Sequence, residues 1–505
     1  MLFEKVLVAN RGEIALRIVR ACRELGIRTV AIYSEADRNS LHLRYADEAY
    51  CIGSPQPNES YLNIKKILEI AKKTSADAIH PGYGFLAQNP AFAEACENNK
   101  IVFIGPSSAT LRKMGNKIAA RTTVAKANVP LIPGTAEPIA DEKEIAQVAE
   151  NLGFPVLIKA VFGGGGRGMR VVRDRTEISQ AVESARMEAK TSFGNSRLYV
   201  EKMLEKPRHI EFQVLADKKG TILHLGEREC SIQRRYQKLI EETPSPMMTE
   251  ELRKIIGETA VKAAKAAEYV NAGTVEFLVD EHGEFYFLEM NTRLQVEHLI
   301  TEMVTGIDIV KEQIEIAAGE PLSFKQEDVK LYGHAINCRI NAEDPYNDFE
   351  PCPGTVTKYH QPGGLGVRVD SALHEGYTIP VYYDSLIAKL AVWARTREEA
   401  IARMRNALSE YVIEGIETTI PFHKKILEDE QYQSGNIHTN FVQERINNIA
   451  LAREHEYEDI AVLSAAIATY LQNQKVTRAV MPVRKTTVAS YWKTRGFWSV
   501  DTQCS

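Results

Sequence analysis

The stretch KAVFGGGGRGMRVV, residues 159–172, decides how the middle of this chain folds. Five glycines stand at 163–166 and 168, framed by Lys159, Arg167 and Arg170. The stretch formally satisfies G-x-G-x-x-G through Gly163, Gly165 and Gly168. A dinucleotide fingerprint must open a helix, whose N-terminus receives the pyrophosphate. Here the glycines lead into MRVVRD, a strand pattern. A Walker A loop fails as well, because Met169 and Arg170 stand where Lys and Ser/Thr belong. What remains is strand, glycine loop, strand: a flap able to fold over nucleotide phosphates. A plain turn is the competing reading, but four glycines in a row exceed what a turn needs.

Before the flap, strand and helix alternate. KVLVA (5–9), TVAIY (29–33), DAIH (77–80) and IVFIG (101–105) read as strands. Between the first two, RGEIALRIVRACREL puts Ile14, Ile18, Cys22 and Leu25 on one helical face, and Gly26 stops the helix. Such alternation implies a parallel, doubly wound sheet. Ligands then gather at the carboxyl ends of its strands, here NRGE, YSEAD and HPGYGFL. After the flap, Asp174 and Glu177 have capping-box spacing ahead of a helix bearing Ile178, Ala181, Val182 and Ala185 on one face. Short strands over about 197–235, a long helix and a hairpin come next. A mixed region over 330–446 ends in the helix TREEAIARMRNALSEY. The tail from 447 reads as helical, then basic and aromatic.

The hairpin GTVEFLVDEHGEFYFLEMN carries a second signal. With His282 and Gly283 at its tip, Asp280 faces Phe285, Leu278 faces Phe287, and Glu276 faces Glu289. Two facing carboxylates destabilise a sheet unless a cation lies between them. Asn291 follows Glu289 at i+2, on the same face. One or two carboxylates plus substrate phosphates are what Mg²⁺ takes. The competing reading is an exposed polar strand face. Next comes TRLQVEH, with Arg293, Gln295 and Glu297 at alternate positions. A cation, an amide and a carboxylate suit recognition and deprotonation of a small oxyanion.

Composition sets the bounds. The chain has 505 residues, 44% hydrophobic and 26% charged, enough for three or four domains. A net charge of −5 argues against a general nucleic-acid binder. Seven cysteines are scattered without a CxxC pair, which argues against a thiolate zinc site and fits the reducing cytoplasm. The N-terminus lacks a signal-peptide layout, and no apolar run approaches the ~20 residues that span a bilayer.

Together these pieces resemble the ATP-grasp enzymes, and within them biotin carboxylase. The resemblance covers roughly residues 1–446. It rests on VANRGEIALRIVRA, HPGYGFL, FIGPS, MGNKIAAR, IKAVFGGGGRGMR, RHIEFQV, ECSIQRRYQKLIEE, LEMNTRLQVEH, HAINCRINAEDP and YYDSLIAKL. It implies a fold of three parts: a doubly wound N-terminal domain (1–114), an ATP-grasp core (115–329, lid about 133–203) and a C-terminal domain (330–446). Residues 447–505 form an extension. The class is α/β and α+β.

The resemblance also implies roles. Lys117, Lys159, Glu201, Lys202, Leu204, His209, Gln233, Tyr236 and Leu278 would contact ATP. Gly163, Gly164, Gly165, Gly166 and Gly168 would form the lid loop. Glu276, Glu289 and Asn291 would hold Mg²⁺ (or Mn²⁺). Lys238, Arg293, Gln295 and Val296 would bind bicarbonate, with Glu297 as general base and Arg339 steadying the biotin enolate. The expected product of ATP and bicarbonate is carboxyphosphate, whose CO₂ biotin captures.

Two positions depart from the family pattern. QRRHQK is usual; here the histidine is Tyr236, which can donate a proton but carries no charge. FLSEN is common; here FLAQN places Gln88 at the acid. No Met-Lys-Met biotin-acceptor motif occurs. The biotin is therefore expected on a partner, a biotin carboxyl carrier protein or a biotinylated carboxyltransferase subunit. The expectation is the biotin carboxylase subunit of a two-subunit pyruvate carboxylase, working as a homodimer. The alternative is the corresponding subunit of an acetyl-CoA or propionyl-CoA carboxylase. Another ATP-grasp ligase, such as half of a carbamoyl-phosphate synthetase, should not show TRLQVEH followed by HAINCRINAEDP. Intact Lys238, Glu276, Glu289, Arg293 and Glu297 argue against a silent regulatory subunit.

Overall fold

A computed structural model gives the structure. It describes residues 2–135, 137–139, 141–160, 169–193, 197–445, 460 and 462–471. The chain divides into two compact units, 1–446 and 447–505. In the second, residues 462–471 are helical. The aromatic and basic end of the tail lies outside the described residues, as does loop 161–168.

The first sheet is parallel, as the alternation implies. It holds β1 (Lys5–Val8), β2 (Arg28–Ser34), β3 (Glu48–Gly53), β4 (Ala78–His80) and β5 (Val102–Phe103), in the order β3-β2-β1-β4-β5. The order reverses between β1 and β4, so the crevice lies beyond their carboxyl ends. Asn10 stitches that crevice: its Nδ2 donates to the carbonyls of Pro81 and Tyr83, both at 2.7 Å. The helix Gly12–Glu24 buries Ile14, Ile18 and Cys22. Leu25 caps it, half-buried, and Gly26 follows with a left-handed backbone.

The flap strands are β6 (Val156–Ala160) and β7 (Met169–Val172), and β8 (Leu198–Lys202) pairs on the other side of β6. β6 and β7 are antiparallel, with Lys159 opposite Met169. The glycine stretch therefore joins two hairpin strands, which excludes a dinucleotide βαβ turn. The expected capping box is altered. Asp174 accepts from the Thr176 amide, but Glu177 takes the amide of Arg173 at 2.7 Å instead of that of Asp174.

One antiparallel sheet fills the centre. Its strands are β9 (Arg208–Ala216), β10 (Ile222–Arg234), β11 (Gln237–Thr243), β12 (Asn271–Val279), β13 (Phe285–Asn291) and β14 (His334–Asn341). Two pairs of short strands, β15 (Glu343–Asp344) with β16 (Glu350–Pro351) and β17 (Lys358–His360) with β20 (Val412–Glu414), lie outside it. β18 (Val367–Ser371) and β19 (Leu386–Ala394) complete the order β13-β12-β9-β10-β11-β14-β19-β18. Segments 115–329 and 330–446 thus share one sheet through β11 and β14.

Period-2 alternation gives this sheet two different faces. Ile210, Phe212 and Val214 of β9 and Val275, Phe277 and Val279 of β12 pack on the helix Glu250–Ala266, against Ile256, Ala260 and Ala263. The opposite face carries His209, Glu211, Gln213, Thr274 and Glu276, all buried. Gly333, just before β14, has φ +70, and a Cβ there would meet the Ala394 carbonyl oxygen at 2.2 Å. Gly333→Ala is expected to cost about 2 kcal/mol or more through strain and overpacking, read as a lower Tm in a thermal scan.

Candidate active site

The β12–β13 hairpin places its carboxylates as the sequence implies: Glu276 pairs with Glu289, and Thr274 with Asn291. Nearer the tip the register shifts. Phe277 pairs with Phe287, Leu278 with Tyr286, and Val279 with Phe285. The expected pairings of Leu278 with Phe287 and Asp280 with Phe285 are therefore corrected. Leu288 is the extra residue, a bulge that leaves the carboxylate pair in place while stepping the tip by one. Asn291 Nδ2 donates to Glu276 Oε1 at 2.8 Å and Glu289 Oε1 at 3.4 Å.

Lys238 is the hub. It reaches from β11 across the polar face, and its ammonium donates to Glu211 at 2.6 Å, Glu276 at 3.0 Å and Glu297 at 2.7 Å. Burial works against its charge, but the acidic groups around it outweigh that and hold its pKa well above the usual lysine value. Glu276 also accepts from His209 at 2.8 Å and Gln295 at 3.1 Å. Burial pushes its pKa up, yet Lys238 and His209 pull it well below the carboxylate range. Glu289 goes the other way. Desolvation in the cleft and the Glu276 charge both raise it.

Glu297 is fully buried at the N-cap position of the helix His298–Thr305, but its side chain does not cap. One oxygen takes Lys238; the other takes Arg339 Nη2 at 2.9 Å. Burial opposes its ionisation, but Lys238, Arg339 and Arg228 overcome that and keep it well below the usual range. Arg339 Nε donates to Glu241 at 2.6 Å, and Asn337 holds the other Glu241 oxygen at 2.7 Å.

Three neighbours were not among the expected residues: Glu211, Arg228 and Glu241. In register, Glu276 faces Glu211 and Glu211 faces Arg228, a charged row across three strands. Arg228 Nε bonds Glu211, and Nη1 bonds Gln213 at 2.8 Å and Thr301 at 2.9 Å. The signal was present in RHIEFQV: alternation puts His209, Glu211 and Gln213 on one face of a strand whose other face carries the apolar Ile210, Phe212 and Val214.

The remaining expected residues line the cleft differently. Lys159 of β6 and Arg121 both bond Glu201 of β8. Lys202 faces away, its ammonium on the carbonyls of Gly153 at 2.9 Å and Phe154 at 3.1 Å. Lys117 starts the helix Lys117–Ala125, with its pKa lowered by burial. Gln233 is buried opposite Lys238, and Leu204 and Val296 are half-buried. Tyr236 is exposed at a two-residue turn, where both Arg235 and Tyr236 are left-handed. The turn is clasped by Asp348, which pairs with Arg234 and Arg235. Gly163, Gly164, Gly165, Gly166 and Gly168 lie outside the described residues.

Glu276, Glu289 and Asn291 fit a hard divalent cation. The two carboxylates offer oxygen, and Asn291 adds a third oxygen once its amide turns the Oδ1 that now accepts from Arg293 toward them. His209, Glu211 and Glu276 also bring ligand atoms within 4.8 Å of one another. No helix among the described residues is long and apolar enough to cross a membrane.

Comparison with known proteins agrees with this geometry. Residues 2–111 match the biotin carboxylase N-terminal domain, and 337–444 match the biotin carboxylase C-terminal domain. Residues 116–325 match the carbamoyl-phosphate synthase L chain ATP-binding domain. A pyruvate carboxylase subunit of Methanothermobacter thermautotrophicus is 56% identical over 476 residues, 94% of this chain and 97% of that protein. Biotin carboxylase 1 of Bacillus subtilis is 57% identical over 443 residues, 88% of this chain and 98% of that protein. Among solved structures, the biotin carboxylase domain dimer of Hydrogenobacter thermophilus 2-oxoglutarate carboxylase, in complex with MgADP, ADP and bicarbonate, superposes with TM-score 0.86. It is 51% identical, and the match covers 89% of this chain and 99% of that one. With all three parts matched and the charged cleft they share intact, the chain belongs to the biotin carboxylase family of ATP-dependent, carboxylating ligases.

Proposed function

We propose that this chain carboxylates biotin carried on a separate protein, as the biotin carboxylase subunit of a two-subunit pyruvate carboxylase. The observation that supports the acceptor is the length of the match together with its identity. Similarity to the Methanothermobacter pyruvate carboxylase protein runs over 476 residues at 56% identity, against 443 for the Bacillus biotin carboxylase and 470 at 51% for the small subunit of Hydrogenobacter thermophilus 2-oxoglutarate carboxylase. The shared part therefore extends into the segment after 446. An acyl-CoA carboxylase subunit is the second reading, favoured by the 57% identity to that biotin carboxylase.

The chemistry follows from the charges. Bicarbonate is a poor nucleophile and needs a base beside cations. Lys238 and Arg293 offer the cations, Gln295 the amide, and Glu297 the carboxylate that takes the proton. In the free site Lys238 and Arg339 hold Glu297 ionised. A bound anion shares those cations and makes Glu297 more basic, so the base strengthens when substrate arrives. Glu276, Glu289 and Asn291 would hold Mg²⁺, which supplies charge neutralisation at the nucleotide phosphates. Lys117, Lys159, Glu201, Leu204, His209, Gln233, Tyr236 and Leu278 would contact ATP, and Lys202, whose ammonium turns to Gly153 and Phe154, would do so through its backbone. Loop 163–168 would exclude water from carboxyphosphate, which hydrolyses readily. Arg339 is the cation for the negative oxygen that develops on biotin. The Hydrogenobacter neighbour is a dimer, and the same assembly is proposed here. All described cysteines are free, which supports a cytoplasmic setting.

The test uses the purified chain with ATP, Mg²⁺, bicarbonate and free biotin. ADP release should rise with biotin and vanish without bicarbonate. Folded protein with no biotin-stimulated release would refute the reading. Pairing it with a biotinylated carboxyltransferase subunit then separates the acceptors: pyruvate should support turnover, and acetyl-CoA should not.

A further inference from the structure

We propose that Gln88 sets the affinity of the site for bicarbonate, by tethering the Arg293 guanidinium without neutralising it. The inference rests on the assignment of Arg293 to bicarbonate made above.

Three cations meet in the cleft, and two are matched. Lys238 has three carboxylates within hydrogen-bond distance, and Arg339 has Glu241 and Glu297. Arg293 has none among the described residues. Its Nε donates to Gln88 Oε1 at 2.8 Å. Its Nη1 donates to Gln295 Oε1 at 2.8 Å and the Leu294 carbonyl at 3.0 Å, and its Nη2 to Asn291 Oδ1 at 3.4 Å. All four acceptors are neutral. The guanidinium is held in place by dipoles and keeps its charge for an incoming anion.

Gln88 is the one of these four contacts that comes from a distant part of the chain. It follows the HPGYGFL turn beyond β4, 205 residues from Arg293 in the chain. Its own Nε2 donates to Thr292 Oγ1 at 3.3 Å, which fixes the amide with its oxygen toward Arg293. The family pattern commonly has Glu at this position. A carboxylate there would accept the same bond but close an ion pair, and would repel a second anion at the guanidinium.

The test is the steady-state kinetics of Gln88→Glu and Gln88→Met in the full chain. Gln88 is exposed, so neither change threatens folding. Gln88→Glu should raise the KM for bicarbonate about two- to fivefold, the range of an exposed charge at short distance. The KM for ATP should stay unchanged, and the gap should narrow in high salt. Gln88→Met removes both hydrogen bonds and adds no charge, so its bicarbonate KM should lie nearer wild type. An unchanged or lower KM in Gln88→Glu overturns the proposal, as does an equal or larger rise in Gln88→Met. A wild-type chain that saturates normally with bicarbonate confines such a failure to Gln88. One with no biotin-stimulated turnover overturns the Arg293 assignment as well.

Discussion

Glu297→Gln should abolish biotin-dependent ATP cleavage, lowering kcat by about 10²–10⁴-fold, the usual contribution of a general base. The substitution keeps size and shape, so the fold should hold. It does not keep the acceptor pattern. Both Glu297 oxygens receive bonds from cations, Lys238 at one and Arg339 at the other. An amide must turn its NH₂ toward one of them. The variant therefore loses the proton acceptor and also loosens one of the two cations. Nucleotide binding should survive, because Lys159 and Glu201 lie on separate strands of the flap sheet. Calorimetry with ADP and Mg²⁺ measures that directly. Retention of more than a tenth of the activity would remove Glu297 as the base. Loss of ADP binding would show that its role is structural.

Lys238→Met should inactivate the enzyme and also destabilise it. Removing one partner of a buried ionic cluster costs about 3–5 kcal/mol, because the other charges stay behind. Here three carboxylates stay behind, on β9, β12 and the turn before the helix His298–Thr305. Lys238→Arg should not rescue activity, since a planar guanidinium cannot point at three separate oxygens as an ammonium does.

The pH dependence has a definite sign. In the wild type, Glu297 and Glu276 have lowered pKa values in the folded state. Their contribution is complete above the unfolded value of about 4.3 and is lost only as pH falls below it. Without Lys238 the cluster carries excess negative charge, and its carboxylates move above the unfolded value. A raised group stabilises below the unfolded pKa and loses that contribution as pH rises through the folded one. Glu13 and Glu312, each raised to about 7 by burial, give wild type and variant alike some gain at lower pH. Melting at pH 6 and pH 8 should show a larger gain at the lower pH in the variant than in the wild type. A variant with wild-type Tm and the wild-type pH trend would mean that the cluster does not depend on Lys238.

The residue pattern alone determined a good deal. Local periodicity fixed the parallel first sheet, since a strand and a helix differ in spacing within a dozen residues. MRVV after the glycines excluded a dinucleotide turn, because strand and helix starts are encoded nearby. Placing the tip at His282 and Gly283 paired Glu276 with Glu289, which holds because the bulge at Leu288 offsets the one-residue step at the tip. The tertiary structure decided what depends on distant neighbours. The bulge at Leu288 shifted the hairpin tip, because packing of Phe277, Phe285 and Phe287 outweighs simple register. Glu211, Arg228 and Glu241 joined the site because one sheet runs unbroken from β13 to β18. Lys238 reaches carboxylates 27, 38 and 59 residues away, and Gln88 meets Arg293 from 205 residues away. No local code carries such separations. Charges far apart in sequence acquire their meaning only when burial removes the water that would otherwise screen them.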